Sequence, residues 1–466
     1  MAIGAGVGRA PTGKPVALWT GPLGRTTVGL FALAFLVAFE SLAVITVMPE
    51  VARDLDGLGA YAVAFAAPIA VSILSRTVAV PWIDRSGPGP ALAGGVAVFA
   101  LGLLACGTAS TMTWFLVGRA VQGLGMGAIG VGLYVVVARA YPVDLRPRAL
   151  AVMTSAWTLP AVVGPAVAGG LAHLLGWRAV FLMAPALAVV SLAVAWRPVR
   201  DLGGAVETPD RAGPAARRVP VAAAATAGGA VLLLSVAGQR AVTWWPCLLV
   251  GSAVLLAGAV RQLVPPRTWT GGRGLPSLMG ARSLLASAYF AAEVYVPLAL
   301  VDLHDVPVGL AGAVLSVAAF TWFAGAWAVS RPERLGPFLA TTQRRAALGA
   351  GAICLGILAV PLVLLPQVPV VLVVAAWAVG GFGMGAAMTS FVTEVLARSA
   401  PGEQASSSAS LQTSDSVAES TALALGSAVF ASVVVHGVGA AVLAAFVVPV
   451  GCAVAALVVL RRGFTS

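Results

Sequence analysis

Residues 28–49 read VGLFALAFLVAFESLAVITVMP, and how this stretch is read decides the rest of the chain. About 20 largely apolar residues in a helix cross the ~30 Å hydrocarbon core of a bilayer. The apolar region of a cleaved secretory signal runs to about 15 residues at most, so this stretch is too long for one. Arg9, Lys14 and Arg25 precede it among Gly, Pro and Ala. That reads as a cytoplasmic tail leading into a first spanning helix. One charge interrupts the run: Glu40, nine residues before Pro49.

Working outward, the same test finds spans at roughly 27–49, 59–82, 89–110, 112–140, 149–175, 177–196, 219–238, 241–263, 276–302, 307–330, 344–366, 368–396, 405–435 and 437–460. The expected fold is therefore all-α and polytopic, with about fourteen spans and both termini on one side. Apart from Arg53, Arg178, Arg240 and Arg119, the basic residues fall in tails, loops or span ends of one side. The positive-inside rule makes that side cytoplasmic, so the expected location is the cell (plasma) membrane with both termini inside. The outer loops carry Glu50, Asp54, Asp56, Asp302 and Asp305 instead. Trp82, Trp114, Trp177, Trp196, Trp244 and Trp245 sit near span ends, as an aromatic belt requires.

Composition agrees. Hydrophobic residues make up 59% of the chain and charged ones 10%, against about 25% charged in soluble domains. A net charge of +11 would suit nucleic acid in a soluble protein; here the basic residues serve topology, and no nucleic-acid partner is expected. Cys106, Cys247, Cys354 and Cys452 lie in apolar stretches without CxxC spacing, and His173, His304 and His436 are far apart. No metal set and no nucleophile–base pair is expected, hence no catalytic residues and no enzyme.

The spans group into a 1–26 tail, a six-helix bundle over 27–196, a linker over 197–218, an extra helix pair over 219–263, a linker over 264–275, a second six-helix bundle over 276–460 and a 461–466 tail. The two bundles echo one another. FLVAFESLAVITVMP and YFAAEVYVPLALVDL each hold one Glu, Glu40 and Glu293. GLGMG at 123–127 and GGFGMG at 380–385 fall in the fourth span of each. Parallel six-helix repeats with a site between the halves form one large transporter architecture.

A charge at mid-membrane costs about 2.5–3.5 kcal/mol even on the lenient insertion scale, so each needs a reason. Glu40 and Arg119 lie roughly 13 and 10 Å deep, reckoned at the helical rise. Facing a common cavity, they form a carboxyl whose charge follows the open side, or a purely structural ion pair. Glu293 has no basic partner at its depth in its own half and is a proton carrier, a contact for a cationic substrate, or a protonated side chain hydrogen-bonded to a backbone carbonyl. Ser408, Gln412, Asp415 and Glu419 are spaced four, three and four residues apart, which puts them on one helix face; Asp415 could alternatively be hydrated at the cytoplasmic end. Gln122, Met126 and Gln412 are expected to line the cavity. Gly123, Gly127, Gly381 and Gly385 read as helix-packing positions, and Arg76 and Arg282 as snorkelling from span ends.

These residues resemble the major facilitator superfamily, specifically its fourteen-helix drug:proton antiporter branch. GRAVQGLGMG (118–127) is similar to that superfamily's fourth-helix motif through Arg119, Gln122 and Gly123. GPAVAGG (164–170) is similar to the antiporter motif of the fifth helix through Gly164, Pro165, Ala168 and Gly169. The loop VPWIDRSGPGP (80–90) keeps Asp84, Arg85 and Gly87, while Val80, Pro88 and Gly89 depart from the family's conformational latch. Leu42, Ile45 and Pro160 are further departures.

The resemblance implies a proton-coupled exporter of small lipophilic molecules working by alternating access. Glu40, Arg119, Glu293, Asp415 and Glu419 are its proton-coupling candidates. No cofactor beyond the proton gradient is implied. Its partners would be a lipophilic substrate, protons and membrane lipid, and it would act as a monomer. A facilitator or symporter for a small polar solute and a lipid or glycolipid exporter are the alternatives.

Overall fold

The computed structural model describes residues 18–142, 145–203, 221–238, 245–263, 268, 274–330, 336–364, 368–399 and 404–463. Most of the expected 1–26 tail and most of both expected linkers lie outside these. The described residues form α1 (Gly21–Asp54), α2 (Val63–Ser86), α3 (Pro88–Gly107), α4 (Met112–Ala140), α5 (Arg146–Leu175), α6 (Trp177–Arg200), α7 (Val221–Gly238), α8 (Trp245–Leu263), α9 (Leu275–Glu293), α10 (Tyr295–His304), α11 (Val308–Val329), α12 (Thr342–Ala359), α13 (Val370–Arg398), α14 (Gln404–Val433), α15 (Val438–Ala445) and α16 (Val447–Gly463).

Twelve helices among the described residues are long and apolar enough to cross a membrane. This differs from the fourteen expected. The fifth and seventh stretches supply shorter apolar helices, Leu159–Leu175 and Val221–Ser235. Both lie within longer helices, the 30-residue α5 and the 18-residue α7. With twelve apolar helices, the chain is a multi-pass membrane protein.

Proline decides where two long stretches break. It lacks an N–H and clashes with the carbonyl four residues earlier. α9 stops at Glu293, four before Pro297, and α15 stops at Ala445, four before Pro449. The spans expected at 276–302 and 437–460 are accordingly each two helices.

Helices α1 to α6 pack as one bundle, and α9 to α16 as a second. Small residues let them close. A Cβ at Gly123 would sit 2.6 Å from Pro68 Cα, and one at Gly127 2.6 Å from the Ser72 carbonyl oxygen, so α4 rides directly on α2. Gly381 and Gly385 repeat this for α13 against α11. We call the face where α1 begins the base and the face where it ends the crown. The bundles meet along α2–α14, α5–α11 and α1–α10. α7 touches both α2 and α14, with Ala223, Ala227 and Ala230 buried; a Cβ on its Gly228 would lie 2.8 Å from the Ala70 carbonyl oxygen.

At the base, Gly87 has φ +82°, a conformation glycine adopts readily. A side chain there would collide with the Leu202–Gly203 backbone. Arg139 also donates to the Gly203 carbonyl, at 2.7 Å. Thr27 Oγ1 reaches the Leu18 carbonyl and the Tyr141 hydroxyl, both at 2.8 Å.

Candidate functional site

The deepest charges meet in the first bundle. Arg119 Nη1 donates to Glu40 Oε1 at 2.9 Å, the two side chains being 4% and 2% exposed. The same nitrogen bonds Gln122 Oε1. Arg119 Nε donates to the Ala64 carbonyl at 2.9 Å. That carbonyl is free because its helical partner would be Pro68, which has no N–H. Pro68 therefore does two things. It opens an acceptor for Arg119 and presents the surface on which Gly123 packs.

Glu293 sits in the second bundle at the α9–α10 break. It is 6% exposed, and among the described residues its Oε2 has no hydrogen-bond partner. Aromatic rings surround the break. Tyr289 stacks on Trp377 at 4.6 Å between ring centroids, and Tyr295 stacks on Phe430 at 5.5 Å. Trp377 Nε1 and the Tyr295 hydroxyl are likewise unpartnered. From the first bundle, Tyr61 stacks on Tyr295, and its hydroxyl donates to the Val294 carbonyl at 2.7 Å.

A third group lies on α14. Asp415 pairs with Arg282 and accepts from Ser283 Oγ at 2.7 Å. Arg76 of α2 donates to Ser416 Oγ at 3.1 Å. Glu419 lies within electrostatic reach of Asp415, Arg76 and Glu293. The expected snorkelling of Arg76 and Arg282 is thus corrected. Both turn inward, because α14 offers polar partners within reach of their long side chains. Ser408's side chain is outside the described residues.

The other expected site residues divide. Gln122 is buried against Arg119, so its amide is committed there. Met126 is partly buried against the core, and Gln412 is exposed near the start of α14. Asp84 and Arg85 are exposed at the end of α2. Gly164 is in ordinary contact distance of Phe39, at 3.4 Å. A Cβ at Gly169 would fall 2.6 Å from Gly309 Cα, and one at Gly312 2.7 Å from the Pro165 carbonyl oxygen. These two crossings are where α5 and α11 join the bundles near the crown. Between the bundles at the crown, Arg53 of α1 also pairs with Asp302 of α10. Among the described residues no group of three or more His, Cys, Asp or Glu could hold a metal.

Sequence reasoning passed over Tyr61, Tyr289 and Tyr295. A signal was present, since the chain has five tyrosines in all and these three are fully buried at or beside the α9–α10 break.

Residues 30–421 match the family described as Major Facilitator Superfamily, and the chain belongs to it. It is similar to a probable multidrug-efflux transporter of Mycobacterium tuberculosis (strain ATCC 25618 / H37Rv), 28% identical over 63% of this chain and 64% of the relative. It is also similar to the multidrug efflux pump SdrM of Staphylococcus aureus (strain N315), 22% identical over 36% of this chain and 37% of that pump. An uncharacterized MFS-type transporter of the same Mycobacterium is 28% identical, the match spanning 40% of its length. Among solved structures, a POT family transporter in complex with 5-aminolevulinic acid superposes with TM-score 0.67 at 14% identity, over 96% of this chain and 98% of that one. A bacterial homolog of the human lysosomal transporter Spinster, inward-facing and occupied, gives 0.65 at 15% identity, over 94% and 96%. The chain thus has the major facilitator fold, and it spans 40% of the length of the uncharacterized Mycobacterium relative.

Proposed function

We propose that the chain is a proton-coupled exporter of small lipophilic molecules, of the fourteen-helix drug:proton antiporter branch. The observation that carries this reading is the sealed Glu40–Arg119–Gln122 network with its link to the Ala64 carbonyl. Intramembrane ionisable groups are costly and are kept where they work. Multidrug efflux named for two relatives supports the direction of transport.

In this reading α5 and α7 complete fourteen spans, the base is cytoplasmic, and the chain acts as a monomer in the plasma membrane. The seven segments of the sequence reading remain its domain plan. Lipophilic substrate enters from the base or the inner leaflet. A proton arriving from the crown side displaces Arg119 from Glu40, and the bundles rock about the α5–α11 and α2–α14 seams. Glu293, Glu419 and Asp415 take part from the second bundle. One proton moving down ~100 mV supplies about 2.3 kcal/mol, and each pH unit adds about 1.4 kcal/mol.

The test uses inverted membrane vesicles energised with a proton gradient and a panel of lipophilic cations and neutral drugs. Wild type accumulates members of the panel. Glu40→Gln and Arg119→Ala insert normally and fall to roughly a tenth of that rate or less, a loss of about 1.4 kcal/mol or more. Full export by both variants would overturn the assignment.

A further inference from the structure

Three consecutive residues at the α9–α10 break have different duties. Glu293 ends α9 with a buried, unpartnered carboxyl oxygen. The Val294 carbonyl accepts a hydrogen bond from the opposite bundle. Tyr295 lays its ring into a stack shared by both bundles, 6.2 Å from Tyr61 and 5.5 Å from Phe430. Tyr61 itself is fully buried, just after the 3₁₀ turn Leu58–Ala60 that leads into α2. Nearer the crown surface, Arg53 and Asp302 close the same gap.

We infer that Tyr61 is a positioning residue for Glu293. Its hydrogen bond to the Val294 carbonyl keeps the crown shut over that carboxyl. The inference rests on the proposed reading of Glu293 as a proton carrier. The argument is geometric. The crown cannot open without parting Tyr61 from Val294, because they belong to different bundles. A parted tyrosine hydroxyl and a parted carbonyl both need new partners. Water is the available one, and water at Val294 is one residue from Glu293. Breaking the bond and wetting the carboxyl are therefore one event. Among the described residues, Tyr289 on its own helix and Glu419 from α14 lie within electrostatic reach of Glu293; Tyr289 stacks on Trp377 of α13, and Tyr295, just beyond the break, stacks on Tyr61 of the first bundle. Arg76 faces Glu419 in turn. None of these is a cation bonded to Glu293, so closure rather than a counter-charge governs its exchange with the crown side.

Tyr61→Phe keeps the ring in the stack and removes only the donor, so the fold is retained. The full-length chain is reconstituted in liposomes with a trapped pH-sensitive dye, and a pH gradient is imposed without substrate. Tyr61→Phe raises the proton leak roughly fivefold over wild type, as expected for one lost hydrogen bond. Adding Glu293→Gln to that variant returns the leak to the wild-type level. A Tyr61→Phe protein as tight as wild type overturns the inference, and so does a leak that persists without the Glu293 carboxyl. Where wild-type export is proton-driven and the leak is absent, this inference alone falls. Where wild-type export ignores the proton gradient, the proposed function falls and takes this inference with it.

Discussion

Arg119 and Glu40, 79 positions apart in sequence, meet at 2.9 Å with their side chains almost wholly buried. Breaking a buried pair by deleting one partner costs about 3–5 kcal/mol, because the other charge is left stranded. Arg119→Ala should therefore lower thermal stability in detergent by about that much. Adding Glu40→Gln removes the stranded charge, so the double variant recovers much of the loss. A double-variant loss equal to the sum of the two singles would show that the pair is not coupled.

Gly169 and Gly309 cross with backbone against backbone near the crown. Gly169→Leu forces a side chain into that crossing, at an overpacking cost of about 1–3 kcal/mol. The strain is relieved if α5 and α11 part, which opens the crown. The expected outcome is transport reduced at least about tenfold, on the same cost scale, together with faster labelling by an impermeant reagent of a cysteine placed at Thr46, which is buried beside Gly312. Unchanged transport and labelling would show that this crossing is not where the bundles pivot.

Tyr141 ends α4 at the base, with its hydroxyl 2.8 Å from Thr27 Oγ1. Burial holds that hydroxyl above the ordinary tyrosine range, against a smaller opposing effect of the Thr27 hydrogen bond. A raised folded-state value favours the protonated form. The contribution to stability is thus complete below about pH 10 and is lost as pH rises through the folded value. Tyr141→Phe should melt lower by about 0.5–1.5 kcal/mol at neutral pH. It should also lose the part of the alkaline stability decline that wild type shows. Identical alkaline profiles for the two proteins would count against this contact.

The apolar runs made the helices legible, since length and composition decide whether a segment can live in lipid. Glu40, Arg119 and Glu293 were legible for the same reason: a charge inside such a run has no cheap explanation. The break after Glu293 was not. Pro49, Pro68 and Pro81 also sit inside helices, and those helices continue through them. Beside the break after Glu293, the Val294 carbonyl takes its donor from Tyr61, more than 230 positions away, which no local pattern shows. Arg76 and Arg282 were misread because a long side chain near a span end can turn either way. What decides it is a neighbouring helix that no local pattern reveals.

One consequence follows from the alanines of α7. That helix rests on α2 and α14 at once, so any rotation of one bundle against the other must shear it along at least one of them. Alanine carries no rotamers to interlock and no polar atoms to re-pair. Ala223, Ala227 and Ala230 therefore give the hairpin a smooth bearing surface, and bulky replacements there would act as grit, slowing the motion without touching a single charge.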